Sequence, residues 1–322
     1  MTSPRVVVVG AGIIGLTSAI RIAEAGHDVA VLARDLPLET TSALAAALWY
    51  PYSAQPPDRV LGWAKQTLST LVAESADPDA GIRVMDGLEL RAEAGEPWFM
   101  SALTAEVGFA HFREVPAGYA DGWQMRLPVV EPSIYLPWLV KRLEGLGGTI
   151  TRTAINSLPD DALVVNCTGL AARSIADDDA VTPARGQILR ISPIAGVDAW
   201  LLDHTEEETP VYVIPRSRDI VVGGTATVGS FDTQPNEFDA TGILERAIRL
   251  VPALADATVV STVAGLRPTR RAVRLETEAR SGGGHVIHNY GHGGAGWTLA
   301  WGCAAEVVQE LEQLTSRISL PG

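Results

Sequence analysis

The first 33 residues carry apolar side chains in two different periods. Residues 5–9 form a β-branched run, which is typical of a buried parallel strand. A helical period follows, carried by Ile13, Ile14, Ala19, Ile20 and Ala23. Gly26 ends this helix, and residues 27–33 read as a second strand. The pattern therefore predicts that the chain opens with a strand–helix–strand unit.

The pattern then becomes less regular up to residue 167. Residues 38–47 are small and polar, and residues 49–57 are rich in tyrosine and proline, so both stretches predict loops. The predicted elements after them are a helix over 58–75 with Asp58 as its N-cap, short strands within 81–129, a helix over 132–146, and strands over 149–155 and 162–167. The last strand is almost wholly apolar, which predicts a central position in a sheet.

Residues 181–261 alternate between apolar and polar positions, which favours an antiparallel sheet. Its predicted elements are strands over 187–191, 211–214 and 220–222 and a helix over 237–250. A strand over 286–288, a glycine loop and a helix from about 295 to 314 follow. We expect an α/β (α+β, two-domain) fold with a discontinuous nucleotide-binding domain. The predicted boundaries are 1–55, 145–180 and 262–322 for that domain, and 56–144 and 181–261 for the inserted substrate domain.

Composition narrows the class of protein. The chain has 322 residues, and a hydrophobic fraction of 47% predicts a packed core. Its net charge of −13 repels phosphate backbones, so no nucleic-acid partner is expected. No apolar run approaches the roughly 18 residues that span a bilayer, so no membrane partner is expected either. The two cysteines, Cys167 and Cys303, are expected to be reduced in a cytoplasm, and a homodimer is left open.

A G-x-G-x-x-G motif joins the first strand to the first helix. Its residues are Gly10, Ala11, Gly12, Ile13, Ile14 and Gly15. The first glycine permits a tight turn, the second lets a pyrophosphate approach the backbone, and the third lets helix and strand pack closely. Free N–H groups at the helix N-terminus favour the phosphate charge. This context predicts dinucleotide binding.

Arg34 and Asp35 end the second strand, at the position where a dinucleotide site usually offers a group to the ribose. Either side chain could contact the ribose or the adenine. The alternative is a surface ion pair without a ligand.

A second glycine loop, residues 289–296, precedes the last helix and includes Gly293, Gly294 and Gly296. A helix N-terminus fronted by backbone N–H groups suits the negative end of a reduced flavin, although the first motif alone also fits a nicotinamide cofactor. His288 and His292 are four residues apart, but the glycines between and after them argue against a helical metal pair. No metal site is predicted.

Together these motifs resemble the D-amino acid oxidases, FAD enzymes of the glutathione-reductase-like flavoprotein superfamily. The resemblance rests on residues 10–15, 41–52, 165–169, 185–187, 265–268 and 288–294. It implies a Rossmann-like FAD-binding domain, noncovalent FAD, and O₂ as the second substrate. The implied reaction converts a D-amino acid to an imino acid, which water hydrolyses to a 2-oxo acid and ammonia, and releases hydrogen peroxide.

The resemblance also implies roles for individual residues. Arg267 matches the arginine that binds the substrate carboxylate, and Tyr212 matches the tyrosine that donates to it. Gly294 matches a glycine whose carbonyl receives the substrate amine. Residues matching cofactor contacts are Thr41, Ser42, Ala46, Ala47, Leu48, Ile155 and Thr298.

Two departures from the family pattern shape the expected specificity. The segment from His204 to Tyr212 is short and lacks a lid tyrosine, which predicts an open site. Ala226 follows Gly223-Gly-Thr225 where D-aspartate oxidases have an arginine, so neutral or apolar substrates are expected unless Arg216 points inward. The alternatives are a D-aspartate or glycine oxidase, an FAD-binding protein without turnover, and a nicotinamide dehydrogenase.

Overall fold

The computed structural model describes residues 5–103, 107–160, 163–203, 205–280 and 284–318. The helices are α1 (Ile13–Glu24), α2 (Thr41–Leu44), α3 (Pro57–Glu74), α4 (Pro132–Gly145), α5 (Ala172–Ile175), α6 (Glu237–Leu250) and α7 (Gly296–Ile318). Within those ranges, no helix combines the length and the apolar composition that crossing a bilayer requires.

The strands belong to one 14-stranded sheet. They are β1 (Val6–Val9), β2 (Val29–Ala33), β3 (Ile82–Arg91), β4 (Phe109–His111), β5 (Asp121–Val130), β6 (Thr149–Arg152), β7 (Leu163–Asn166), β8 (Thr182–Ile191), β9 (Trp200–Asp203), β10 (Val211–Pro215), β11 (Ile220–Gly223), β12 (Thr227–Val228), β13 (Val259–Ala279) and β14 (His285–His292). The order is β4-β5-β3-β9-β10-β11-β8-β13-β14-β7-β1-β2-β6, with β12 paired to β8.

One end of the sheet is parallel and contains the predicted strand–helix–strand unit. β1 lies between β2 and β7, and β14 and β6 extend the parallel set on either side. The central position predicted for residues 162–167 is confirmed for β7, although Ala162 lies outside the described residues. α1 packs against α7 beside these strands, where Leu16, Ile20 and Trp301 are fully buried.

The other end of the sheet carries the predicted antiparallel strands. β8, β10 and β11 pair as expected, and α6 covers them through a separate core that includes Leu189, Val213 and Ile243. The mixed α/β architecture is thus confirmed. The 21-residue β13 joins both ends, since it pairs with β8 up to Thr269 and with β14 from Thr269 onward.

Three predicted elements are wrong in detail. Residues 38–47 include the single helical turn α2, which is too short for a periodic pattern. Asp58 is not an N-cap, because α3 begins at Pro57, a residue suited to a first helical position. The short strands predicted within 81–129 include the three-residue β4, but β3 and β5 are each ten residues long. Gly87 lies inside β3, where a Cβ would meet the Trp200 ring at 2.0 Å.

The predicted domain boundaries remain a prediction, although two contacts bear on them. β13 continues through the boundary at residues 261 and 262. α3, assigned to the substrate domain, packs so closely on α7 that a Cβ at Gly302 would lie 2.3 Å from the backbone of Trp63.

Candidate active site

A cavity of about 1160 Å³ runs from the carboxyl ends of β1 and β2 to the antiparallel strands β8, β10 and β13. The predicted site residues that line it are Gly10, Ala11, Gly12, Ile13, Ile14, Arg34, Asp35, Thr41, Ser42, Ala46, Ala47, Leu48, Ile155, Tyr212, Arg267, Gly293, Gly294 and Gly296. Two predicted residues, Gly15 and Thr298, are not among its lining residues.

The first glycine loop has the close packing that its motif predicts. Gly10 has a φ of +112°, and a Cβ there would meet the Cys167 carbonyl oxygen at 2.4 Å. A Cβ at Gly15 would lie 1.9 Å from the Gly10 carbonyl oxygen, so Gly15 acts through helix–strand packing rather than through the cavity. Ser42 Oγ accepts a hydrogen bond of 3.1 Å from the Ile13 N–H, which ties the segment containing α2 to the start of α1.

Arg34 and Asp35 line the cavity just after the carboxyl end of β2, and they also bind each other. The guanidinium donates two hydrogen bonds, from Nε and Nη2, to the carboxylate Oδ2 at 3.0 and 2.6 Å. These contacts lower the pKa of Asp35 below its usual range. The Arg34 side chain is 72% exposed, so this pair remains accessible to a ligand. Ile155 lines the same cavity, and its predicted adenine contact stays a prediction.

The second glycine loop forms a 3₁₀ turn over Gly293–Ala295 directly before α7. Gly293 and Gly296 line the cavity there. Thr298 is buried in the first turn of α7, and its hydroxyl donates to the Tyr50 carbonyl oxygen at 2.8 Å and accepts from the Tyr50 N–H at 3.0 Å. It therefore positions the backbone at residue 50, and a direct contact with a flavin stays a prediction.

Arg267 and Tyr212 meet at the opposite end of the cavity. Arg267 Nη1 donates to the Thr225 carbonyl oxygen at 3.0 Å, and its guanidinium lies beside the Tyr212 hydroxyl. Burial raises the pKa of Tyr212, while the nearby positive charge of Arg267 lowers it. A Cβ at Gly294 would lie 3.7 Å from Arg267 Cδ, so the three residues predicted to hold the substrate share one site.

Each of these two side chains lies over a glycine of a neighbouring strand. A Cβ at Gly186 would meet the Arg267 guanidinium at 2.3–2.5 Å, and a Cβ at Gly223 would meet the Tyr212 ring at 2.0 Å. Neither glycine was predicted as a site residue. A signal was present for both. Gly186 lies in the segment 185–187 that carries the family resemblance, and Gly223 lies in the Gly223-Gly-Thr225 segment compared with the D-aspartate oxidases.

The aromatic residues of the segment after α2 also went unpredicted as site residues. Tyr50 and Tyr52 line the cavity, and Tyr52 lies against Gly294, where a Cβ would be 3.0 Å from its Cδ1. Trp297 lines it as well and donates from Nε1 to the Ser42 carbonyl oxygen at 3.2 Å. Tertiary packing brings these three residues to the cavity. The local sequence pattern therefore could not have predicted their position, and only the family resemblance could have.

The short segment before β10 is fastened along its described part, Thr205 to Pro210, while His204 lies outside the described residues. The Pro210 carbonyl oxygen accepts from the Gly224 N–H at 2.6 Å, and the Glu208 carbonyl oxygen accepts from the Ala226 N–H at 2.8 Å. These two hydrogen bonds tie this part of the segment to the chain between β11 and β12.

Neither position 226 nor Arg216 supplies a cation to the site. Ala226 lines the cavity, whereas Arg216 is absent from its lining. Arg216 instead forms a bidentate pair with Asp219, with both hydrogen bonds at 2.7 Å. An acidic substrate side chain would meet no charge from Arg216.

The two histidines of the last motif both lie on β14 instead of a helix. The part of the chain that the structure describes contains no group of three His, Cys, Asp or Glu side chains placed to hold a metal ion. His288 contacts Asn166 and Glu278, each at 3.2 Å. His292 is buried, which lowers its pKa to about 3 and keeps the imidazole neutral.

The cavity fits a bound FAD with a small substrate beside it. Its volume exceeds the roughly 300–1000 Å³ of an ordinary small-molecule site. Glycines without a Cβ line both helix N-termini that open into it, at Gly12 and Gly296, which leaves room for a cofactor to approach the backbone. These glycines and the segment of residues 41–48 would hold the cofactor.

Comparisons with known proteins also indicate an FAD-dependent oxidoreductase. The profile of the family described as FAD dependent oxidoreductase (DAO) matches residues 5–310. A D-amino-acid oxidase of Rubrobacter xylanophilus is 45% identical over 312 residues, covering 94% of each chain. A D-amino-acid oxidase of Streptomyces coelicolor is 39% identical, covering 95% of this chain and 96% of the relative. The fold is also similar to a crystal structure of glycine oxidase from Geobacillus kaustophilus, with a TM-score of 0.78, 18% identity, and coverage of 97% of this chain and 95% of that one.

Proposed function

Because the chain belongs to the FAD-dependent oxidoreductase family, we propose that it is a D-amino-acid oxidase acting on neutral or apolar D-amino acids. The observation that carries this proposal is the convergence of Arg267, Tyr212 and Gly294 in a cavity continuous with the dinucleotide loop. The products are a 2-oxo acid, ammonia and hydrogen peroxide.

The protein's own residues orient the substrate. The Arg267 guanidinium binds the carboxylate through charge-assisted hydrogen bonds, and the Tyr212 hydroxyl donates a further one. The Gly294 carbonyl accepts a hydrogen bond from the amine, which directs Cα toward the cofactor. FAD held by the two glycine loops and residues 41–48 would supply the two-electron oxidation at Cα, with O₂ as the final acceptor. Since a neutral amine needs no deprotonation, positioning is the main contribution of these residues.

The preference for neutral side chains follows from the charges near the site. Ala226 offers no charge to the cavity, and the guanidinium of Arg216 is held by Asp219. A carboxylate on the substrate side chain would therefore lose water without gaining a partner from either residue.

We also propose a cytoplasmic location. Cys167 and Cys303 are both buried and unpaired, as expected for thiols in a reducing compartment.

The test is hydrogen peroxide release from purified, FAD-loaded protein over a panel of D-amino acids, L-amino acids and glycine. We expect D-alanine and apolar D-amino acids to be oxidised and L-amino acids to be inert. Arg267→Met should abolish turnover while flavin absorbance is retained. Arg271→Met removes an exposed arginine outside the cavity lining and should leave turnover unchanged. A preference for D-aspartate or glycine would contradict the proposal and favour a sister oxidase.

A further inference from the structure

Three residues lie opposite one another across neighbouring strands of the antiparallel region. Tyr212 on β10 pairs with Leu202 on β9, and Leu202 pairs with Glu89 on β3. Directly opposed residues project from the same face of a sheet, and each step between strands is about 4.8 Å. Glu89 therefore lies on the face that carries the substrate-binding tyrosine, about 10 Å away along the row. Leu202, between them, lines the cavity.

Tyr50 connects the cavity to this carboxylate. It lines the cavity and donates its hydroxyl proton to Glu89 Oε1 at 2.9 Å. Arg91 Nη1 donates to the same oxygen at 2.8 Å. Glu89 is only 3% exposed and is not a lining residue, so it can act on a ligand only through Tyr50.

On the basis of the proposed function, we propose that Tyr50 and Glu89 set the side-chain specificity of the oxidase. Tyr50 forms the wall that meets the distal part of the substrate side chain, and Glu89 is the positioning residue behind it. The favoured class is D-amino acids whose side chains end in a hydrogen-bond donor, such as the amide of D-glutamine. The disfavoured class is D-amino acids that end in a carboxylate.

The argument rests on the direction of one proton. Because the Tyr50 proton is donated to a buried carboxylate, the phenolic oxygen meets a ligand as a hydrogen-bond acceptor. A substrate amide N–H can donate to that oxygen. A substrate carboxylate would need the same proton, and taking it would remove one of the two hydrogen bonds at Glu89. Tyr50 therefore discriminates between the amide of D-glutamine and the carboxylate of D-glutamate, which are nearly equal in size.

Burial raises the pKa of Glu89, and the hydrogen bonds from Tyr50 and Arg91, together with the positive charge of Arg91, act against that rise. Burial and the adjacent Glu89 raise the pKa of Tyr50 well above its usual range, so the phenol keeps its proton.

The test uses D-glutamine, D-glutamate, D-methionine and D-alanine in a peroxide-release assay of the FAD-loaded protein. In the unaltered protein we expect kcat/KM for D-glutamine to exceed that for D-glutamate by at least about tenfold. Glu89→Gln should narrow this ratio about tenfold, mainly through KM, because the amide can donate to Tyr50 and release its proton toward the ligand. Tyr50→Phe should lower the ratio of kcat/KM for D-glutamine to kcat/KM for D-methionine about fivefold.

A matched control lies elsewhere in the protein. Tyr135 donates to Glu74, which also accepts from Arg142, and neither Tyr135 nor Glu74 lines the cavity. Tyr135→Phe and Glu74→Gln remove the same groups from a buried tyrosine–carboxylate–arginine set. We expect both to leave the substrate ratios unchanged, whatever they do to the melting temperature.

The outcomes separate this proposal from the function on which it rests. If no D-amino acid, D-alanine included, yields peroxide, the proposed function fails. If D-alanine is oxidised but D-glutamate is used as well as D-glutamine, the specificity proposal is overturned without any variant. It is also overturned if Glu89→Gln and Tyr50→Phe shift the ratios no more than the two control variants do.

Discussion

The glycine beneath the carboxylate-binding arginine offers a way to displace that arginine without changing its charge. Gly186→Ala would place a Cβ 2.3–2.5 Å from three atoms of the Arg267 guanidinium. Ordinary contact begins near 3.4 Å, so the guanidinium must move by about 1 Å. A misplacement of that size can cost about 100-fold in rate. We therefore expect kcat/KM for D-alanine to fall about 100-fold, mainly through KM.

The stability of the Gly186→Ala variant should change much less than its activity. The clashing atoms are the far end of a flexible side chain, so the backbone of β8 need not move. Replacing glycine by alanine within a strand favours the folded state by roughly 0.5–1 kcal/mol, which offsets the cost of moving the arginine. The free energy of unfolding should therefore change by less than about 1 kcal/mol, and the flavin absorbance should persist.

The assay pairs steady-state peroxide release with a urea denaturation curve for each variant. Gly62→Ala is the control, because a Cβ there meets nothing within 4 Å. Arg267→Met sets the lower limit of activity. If Gly186→Ala keeps kcat/KM within about threefold of the unaltered protein, the observed guanidinium position does not determine carboxylate binding. If it unfolds or loses FAD, the stability reasoning is wrong.

Three further predictions follow from buried titratable groups. Tyr212→Phe removes one hydrogen bond to a charged carboxylate and should raise KM for D-alanine about tenfold, measured by the same assay, with little change in melting temperature. Burial raises the pKa of Cys167 to about 12 and that of Cys303 well above its usual value, so a thiol reagent at pH 8 should detect both only after denaturation. The pKa of His292 is lowered to about 3, whereas an unfolded histidine titrates near 6.5, so between these values only the unfolded chain binds the proton. The free energy of unfolding should therefore fall as the pH drops through that window, by at most about 1.4 kcal/mol per pH unit. In His292→Gln the melting temperature should depend less on pH in the same window.

The parts of the fold that local pattern predicts are those whose cause is local. β1, α1 and β2 follow from a β-branched run, a glycine turn and a helical period within 33 residues. β13 shows why other parts do not follow. Most of its 21 residues are half-buried, so neither alternation nor a continuous apolar run marks its full length. Its extent is set by pairing with β8 and then with β14, which are distant in sequence.

Prediction of the candidate site is likewise limited by contacts between residues that are distant in sequence. The family resemblance gave Arg267 and Tyr212, which carry recognisable chemistry, and both line the cavity. It gave no reason to expect Glu89 behind Tyr50, because that contact depends on the register of β3 against β9. A one-residue shift in that register would turn Glu89 to the other face of the sheet.

The two glycines beneath the substrate-binding side chains extend this argument. Gly186 and Gly223 have no chemistry of their own, yet each leaves the space that Arg267 or Tyr212 occupies. Retention of the arginine and the tyrosine alone therefore does not establish a carboxylate-binding site in a chain of this fold. A related chain with both reactive side chains but a larger residue at either glycine position should hold the guanidinium or the phenol elsewhere. Such a chain should bind an amino-acid carboxylate weakly, even though its reactive residues match.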